Sequence, residues 1–450
     1  MYPDTQIIQI VQPASSFGRS QRPRGDILGS TEQKIVEIWE EFLFKTAARQ
    51  NITATTDFFA IGGTTPLLSH VLDRMRKAFR ETLTITDLVH NATLRGMTTV
   101  AMNKTSIFTL GGASIDWKSE TALPMTRGPD FSAEAVKTGQ ALVVLLTGAT
   151  GFIGRAILEC LASVEEVVLI HCVAIRSPAK TVPHPKIIYY NGDLTHHYLG
   201  LSDASWEQLS RSVDVVIHAA ALADRIRPYA SLRTTNVLPT KKLIQFAAPR
   251  LIPIHFISSA GVGRFVGHPT FPEVAVGSNL PPVHADGYTA SKWASEAVLE
   301  KIHGKLDMPI MIHRPTTIIG PNTSSNDVLA NLFQYAKELR AVPDLKHVKG
   351  FFDIIPLDVV ARTISREALK PIQGINFSNI GGVKRVPVRD LHLAMAMDTG
   401  IEMKKVHLQE WVRMAKRAGM SQEIAHVFEE FDELVKVFVY PEVKRSRDLA

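Results

Sequence analysis

Cysteine is almost missing from this chain: among 450 residues there are two, Cys160 and Cys172. Both lie in apolar segments, which argues against a disulfide-stapled secreted scaffold and predicts reduced thiols in a core. Long hydrophobic runs are missing too. No stretch approaches the roughly 18 to 20 apolar residues that a membrane span requires. The opening MYPDTQIIQIVQPASS lacks the basic start and apolar centre of a secretory signal. Nor is there a run of Lys and Arg with interleaved aromatics, and the net charge of +6 is thinly spread. No metal site is expected. These absences lead to the expectation of a reducing, cytoplasmic setting, with neither membrane nor nucleic acid as partner.

What is present is the composition of an ordinary globular protein, 45% apolar and 21% charged, with length enough for two or three cores. Residues 1–29, rich in Pro, Ser, Gly and Arg, read as a flexible leader. From Ser30 the apolar residues Ile35, Ile38, Trp39, Phe42 and Leu43 recur at helical spacing, with Ser30 and Gln33 as the expected capping box. Helical patterns continue over Leu67–Phe79 and 85–101, so residues 30–103 are expected to form a small all-α bundle. Residues 104–139 read as a linker, in which Ile115-Asp116-Trp117 and Glu120 to Pro124 form a Trp-anchored strap. In residues 140–325 wholly apolar strands (LVVLLT, VVLIHCVAI, VVIHAAA, PIHFISSA, IMIHRP) alternate with helices. That is the pattern of an α/β fold with a doubly wound parallel sheet covered on both faces. Residues 326–450 turn mostly helical and predict a smaller C-terminal lobe.

Two motifs carry chemistry. The first strand runs straight into Gly148, Gly151 and Gly154 (LLTGATGFIG), a spacing that allows a tight turn, close approach to a pyrophosphate and close helix packing. Far downstream, Tyr288 and Lys292 in GYTASK are four apart, so a helix puts both on one face. An ammonium beside a phenol stabilises phenolate and brings proton exchange nearer to neutrality. The second strand ends Ala174-Ile175-Arg176-Ser177, without the acid that NAD binders place on the ribose hydroxyls. Arg176 is instead suited to a 2′-phosphate, and NADPH is the expected cofactor.

Together these motifs resemble the extended short-chain dehydrogenase/reductase family. The resemblance implies a Rossmann-like NADP-binding domain in which Tyr288 is the acid, Lys292 holds the ribose, and Ser259 hydrogen-bonds the reacting oxygen. Ser258 is the neighbour most easily confused with Ser259. Asn236 matches a residue that fixes the active-site helix. Cofactor contacts are implied for Gly148, Thr150, Gly151, Phe152, Ile153, Gly154 and Leu194. Asp193 either accepts from the adenine amino group or is a plain turn residue. His218, Ala219 and Ala220, where relatives carry an HNG-type sequence, are also implied as cofactor contacts, since small side chains at the end of the fourth strand let the cofactor lie on the backbone; His218 itself is more often a buried structural histidine than a catalyst. Arg314 either lines the cofactor pocket or pairs with an acid of the second lobe.

The front of the chain resembles a phosphopantetheine carrier domain through Asp57-Phe58-Phe59-Ala60-Ile61-Gly62-Gly63. In that family the serine that takes the arm follows one residue later. Here the position is Thr65, followed by Pro66: a bulkier secondary alcohol, placed to N-cap the next helix. A carrier fold retained without its chemistry is the expectation, and attachment at Thr65 departs from the pattern. The whole order resembles the C-terminal end of fungal hybrid polyketide–nonribosomal peptide synthetases. That implies NADPH-dependent release of an acyl or peptidyl thioester, borne on phosphopantetheine of a carrier in cis or in trans, as an aldehyde and onward to an alcohol. The other readings are redox-neutral Dieckmann closure, a sugar-nucleotide epimerase, and a non-catalytic module.

Overall fold

The computed structural model describes residues 28–43, 52–79, 82–102, 115–124, 128, 136–139, 141–178, 181–283, 285–321, 327–382, 384–429 and 439–444. The expected leader, apart from 28 and 29, lies outside the described residues, as do much of the 104–139 linker and the 430–438 part of the last helical pattern.

Four helices, α1 (Ser30–Leu43), α2 (Thr65–Ala78), α3 (Ile85–His90) and α4 (Leu94–Met102), bury Ile35, Trp39, Phe58, Leu72, Leu88 and Met97 in one core. The capping box is not the expected one. Glu32 accepts the Gly29 N–H at 2.9 Å, whereas Gln33 reaches back to the Leu28 carbonyl. Gly29 has no side chain to return the bond, so the box is half built. The DFF turn is held by Asp57, whose carboxylate accepts the N–H groups of Phe59 and Ala60 at 2.8 and 3.1 Å. Thr64, not Thr65, caps α2 by accepting from Leu67, because the first turn takes up both Thr65 and Pro66.

The short helix α5 (Trp117–Glu120) follows. The main domain contains β1 (Leu142–Thr147), α6 (Phe152–Ala162), β2 (Val167–Ile175), β3 (Ile187–Asn191), α7 (Asp203–Ser212), β4 (Val215–His218), α8 (Tyr229–Asn236), α9 (Leu238–Ala247), β5 (Ile254–Ile257), β6 (Thr270–Phe271), α10 (Gly287–Leu306) and β7 (Ile310–Pro315). Beyond it come β8 (Thr317–Ile319), α11 (Val328–Leu339), β9 (Ala341–Pro343), β10 (Phe351–Pro356), α12 (Leu357–Ala368), β11 (Ile375–Ile380), β12 (Lys384–Pro387), α13 (Leu391–Thr399), β13 (Lys404–Val406), α14 (Leu408–Arg417), α15 (Gln422–Glu429) and β14 (Glu442–Val443).

Seven strands form one parallel sheet in the order β3-β2-β1-β4-β5-β7-β11. Residues of α7, α9 and α10 cover one face and those of α6 and α12 the other, so the strands are apolar along their length. The expected division at 325/326 is not where the layers part. The helix α12 packs against α6, and β11 is the edge strand beside β7, although both lie beyond residue 326. The chain leaves the sheet and returns to it, which hydrophobic periodicity does not reveal. The second lobe is mixed: α11, α14 and α15 share a core with residues of β9 and β10, built on Leu332, Phe352, Trp411 and Phe428.

The four-helix module touches both neighbours. Its α2 lies against α15, where Asp73 is 3.2 Å from His426 and Arg76 is 3.5 Å from Glu429. The strap is anchored by Trp117, edge-on to Tyr229 and Trp293 at 4.9 and 5.3 Å, and by Glu120, which accepts from Tyr229 and Arg233, each at 2.6 Å. Among the described residues no helix is long and apolar enough to cross a membrane, and no cluster of His, Cys, Asp or Glu could hold a metal ion.

Candidate active site

Strand order reverses between β1 and β4, and in a parallel sheet that switch point opens a crevice at the carboxyl ends of the strands. Four expected segments lie at that edge: the glycine loop after β1, Arg176 after β2, His218 to Ala220 at the end of β4, and Ser258-Ser259 after β5. Gly148 has φ +77°, and a Cβ there would fall 2.7 Å from the Ala220 nitrogen. A Cβ on Gly154 would fall 2.1 Å from the Gly148 carbonyl oxygen, so α6 can approach β1 closely only as glycine. Helix α6 starts at Gly151 without a side-chain cap, which leaves its first-turn N–H groups to an anion. A bare backbone cradle beside a helix N-terminus fits a dinucleotide's pyrophosphate. Phe152 is half-buried, and the Ile153 side chain packs into the core beneath α6.

The 20 residues of α10 are buried nearly all round, which its small residues Ala290, Ser291, Ala294, Ser295 and Ala297 permit. Asp286 caps it through the Thr289 N–H at 2.9 Å. On its first two turns Lys292 Nζ lies 5.8 Å from the Tyr288 ring centroid and donates to the Ile257 carbonyl at 2.6 Å, at the end of β5. Ser259, next to that strand end, is buried, and its hydroxyl accepts the Gly261 N–H at 3.1 Å. Ser258 is engaged otherwise: it donates to Glu296, which in turn takes the Arg314 guanidinium at 2.6 Å. Arg314 therefore pairs with an acid of α10, not of the second lobe. Burial pushes the Tyr288 phenol up to about 12 and brings the Lys292 ammonium down to about 7, with Glu296 resisting the second shift.

His218 is buried and bonded through Nδ1 to Thr147 at 2.7 Å, while its Nε2 has no hydrogen-bond partner. Burial, with Lys292 nearby, lowers it to about 3, so the imidazole is neutral. Past the end of β2, Arg176 is largely exposed and lies 4.0 Å from Asp193. Burial raises the Asp193 pKa, but the hydrogen bonds from Thr195 outweigh it and hold the carboxyl below its ordinary value. Leu194 packs against the core, and its carbonyl accepts from Lys242. Asn236 accepts from the Leu222 N–H at 2.8 Å and donates to Ser291 at 3.0 Å, pinning the post-β4 loop to α10.

Residues 177–364 match the family model described as male sterility protein. Over 454 aligned residues it is 33% identical to a hybrid PKS-NRPS synthetase of Penicillium oxalicum, which covers 92% of this chain and 11% of that one. Against the fusarin C synthetase of Gibberella moniliformis identity is 34% over 413 residues, covering 89% and 10%. The chain thus spans about a tenth of the length of the curated relatives it matches. Among solved structures it resembles the terminal R domain of the myxalamid PKS-NRPS pathway, with TM-score 0.61, 22% identity and 74% and 90% coverage. It also resembles a thiolation-reductase di-domain of an archaeal non-ribosomal peptide synthetase, with TM-score 0.58, 19% identity and 91% of each chain covered. At these identities the structural likeness bears on the fold.

Two side chains that the sequence pattern did not mark face Tyr288. The Arg225 guanidinium lies 5.1 Å from the Tyr288 ring centroid, and Arg225 also donates to the Tyr440 hydroxyl at 3.4 Å. The signal was faint: Asp224-Arg225-Ile226-Arg227 shows charges on both sides of one apolar residue, and Tyr440 sits in an unremarkable VFVYPEV. Thr65, from the helical module, donates to Asp224 at 2.7 Å.

Proposed function

We propose that the chain is an NADPH-dependent release reductase, acting on an acyl or peptidyl thioester presented on a carrier's phosphopantetheine. The reading rests on one convergence: Lys292 reaches both the Tyr288 ring and the end of β5 that bears Ser259, beside the glycine cradle. Gly148, Gly151 and the α6 N-terminus would hold the pyrophosphate, Asp193 the adenine, and Arg176 the 2′-phosphate. NADPH, when bound, supplies the hydride. Tyr288 and Ser259 donate to the thioester oxygen as negative charge develops on it, and these donors are placed before the reaction begins. A phenol held at about 12 keeps its proton at neutral pH, as a donor must, and the Arg225 cation over its ring steadies the phenolate left behind. Collapse of the hemithioacetal expels the pantetheine thiol and frees the aldehyde. The Thr65 hydroxyl, already bonded to Asp224, supports a module without an arm of its own and a thioester delivered in trans.

One observation favours a second reading. Lys292, brought down to about 7, is partly a neutral amine at physiological pH and can serve as a base. Dieckmann closure needs such a base and no hydride. The test is to mix the protein with NADPH and an acyl-pantetheine thioester, following absorbance at 340 nm with products identified by mass spectrometry. NADPH consumption with aldehyde, lost in Tyr288→Phe, is expected; a cyclised product with NADPH untouched would transfer the assignment to closure.

A further inference from the structure

The loop between β4 and α8 joins the helical module to the candidate active site. On one side Asp224 accepts the Thr65 hydroxyl at 2.7 Å and Arg227 Nε at 3.1 Å. Arg227 donates to the Gly63 carbonyl at 2.9 Å and stacks 4.6 Å from the Phe59 ring centroid, and Ile226 packs against the module's core. The hydrogen bonds and the ring contact fall on the DFF turn and the start of α2. On the other side Arg225, between the two gripping residues, lies over Tyr288. The same loop presses on the start of α10: a Cβ on Gly287 would fall 2.3 Å from the Arg227 carbonyl oxygen and 2.5 Å from the Tyr229 nitrogen. The glycine of GYTASK is thus set by this loop. Asp224 also shapes the loop, accepting the N–H groups of Ile226 and Arg227 at 3.0 and 3.2 Å, and Asn236 fixes its base at Leu222.

We propose that residues 222–229 couple seating of the helical module to Tyr288, with Arg225 as a positioning residue that favours the phenolate only while Asp224, Ile226 and Arg227 are held by the module. The proposal rests on Tyr288 being the proton donor. It gives a carrier-like fold without an arm a part in the reaction. The charged and titratable groups around Tyr288 are Arg225 from the loop, Lys292 and Asp286 from α10 and its cap, and Tyr440 from the C-terminal segment; Arg264 is bonded to Asp286 at 2.5 Å. Arg225 is the cation among them that the module can move.

The experiment uses the whole chain with NADPH and an acyl-pantetheine thioester, alongside hydrogen–deuterium exchange of the peptide spanning 286–292, which needs no turnover. A cation this close to a buried phenol is worth about one to two pH units. Arg225→Gln is expected to lower kcat about 10- to 100-fold with KM for NADPH little changed, and to displace the pH profile upward, with Arg225→Lys restoring part of both. Thr65→Val and Arg227→Met, altered on the module's side, are expected to lower kcat about threefold or more and to speed exchange over 286–292. An unmoved profile in Arg225→Gln, or kcat and exchange unchanged in both Thr65→Val and Arg227→Met, overturns the coupling. A wild-type chain that consumes no NADPH refutes the reductase reading instead, and the exchange arm still decides whether the module reaches α10.

Discussion

A methyl group added to Gly148 separates two costs that are usually confounded. With φ at +77°, Gly148→Ala bears the penalty of an L-residue in the left-handed region, about 1–2 kcal/mol. It also drives a Cβ to 2.7 and 2.8 Å from the nitrogen and Cα of Ala220, which are backbone atoms and cannot rotate away. Relief requires β1 and β4 to part where Thr147 is in register with His218. Overpacking of that kind costs about 1–3 kcal/mol more. Gly267→Ala supplies the control, since φ is +75° there and nothing lies within 4 Å of the added methyl. For a chain of 450 residues each kcal/mol lowers the melting temperature by about 1 °C. Thermal melts should therefore show a loss in Gly148→Ala about twice that in Gly267→Ala. Calorimetric titration should show NADPH binding weakened in the first variant alone. Equal losses, or unweakened NADPH binding by Gly148→Ala, would refute the idea that the bare backbone at this point is both structural and a cofactor cradle.

Arg176→Ala should weaken NADPH about 10- to 100-fold and leave NADH nearly unchanged, measured as the two dissociation constants; equal weakening would remove Arg176 from the 2′-phosphate. Arg314→Met leaves the buried Glu296 carboxylate without its guanidinium and should cost about 3–5 kcal/mol in urea unfolding, most of it recovered when Glu296→Gln is added. Lys292 loses its proton at about 7 in the folded chain against an ordinary 10.5, so between those values the unfolded state binds the extra proton. Its contribution to stability therefore rises with pH across that window. Wild type should gain stability over Lys292→Met between pH 7 and 9, and parallel urea curves would contradict the shift.

The parallel sheet was legible because strands buried on both faces are apolar throughout, as LVVLLT and VVIHAAA are, and because glycine spacing is fixed by backbone clearance. Tyr288 and Lys292 were legible because four residues make one helical turn. The pairing of Ser258 with Glu296 was not, since a serine's partner across 38 residues leaves no periodic trace. The same holds for Arg225: a guanidinium over a ring far along the chain is fixed by a loop's path, and loops carry no period. Thr64 displaced Thr65 as the cap because both residues are good caps, and only the position of Pro66 in the first turn decides between them. The return of α12 and β11 to the sheet was hidden for a related reason, as local pattern tells strand from helix but not which layer it joins.

The helical module meets the sheet domain through Arg227 and Gly63 and meets the second lobe through α2 and α15. Mechanically it bridges the sheet domain and the second lobe. If the second lobe swings away from the strand ends, the module must either release Asp73 and Arg76 or be carried along, pulling on Asp224. Elastic load from lobe opening would then fall on the short segment that ends over Tyr288, making the rate of substrate entry and the readiness of the phenol two readings of one strain.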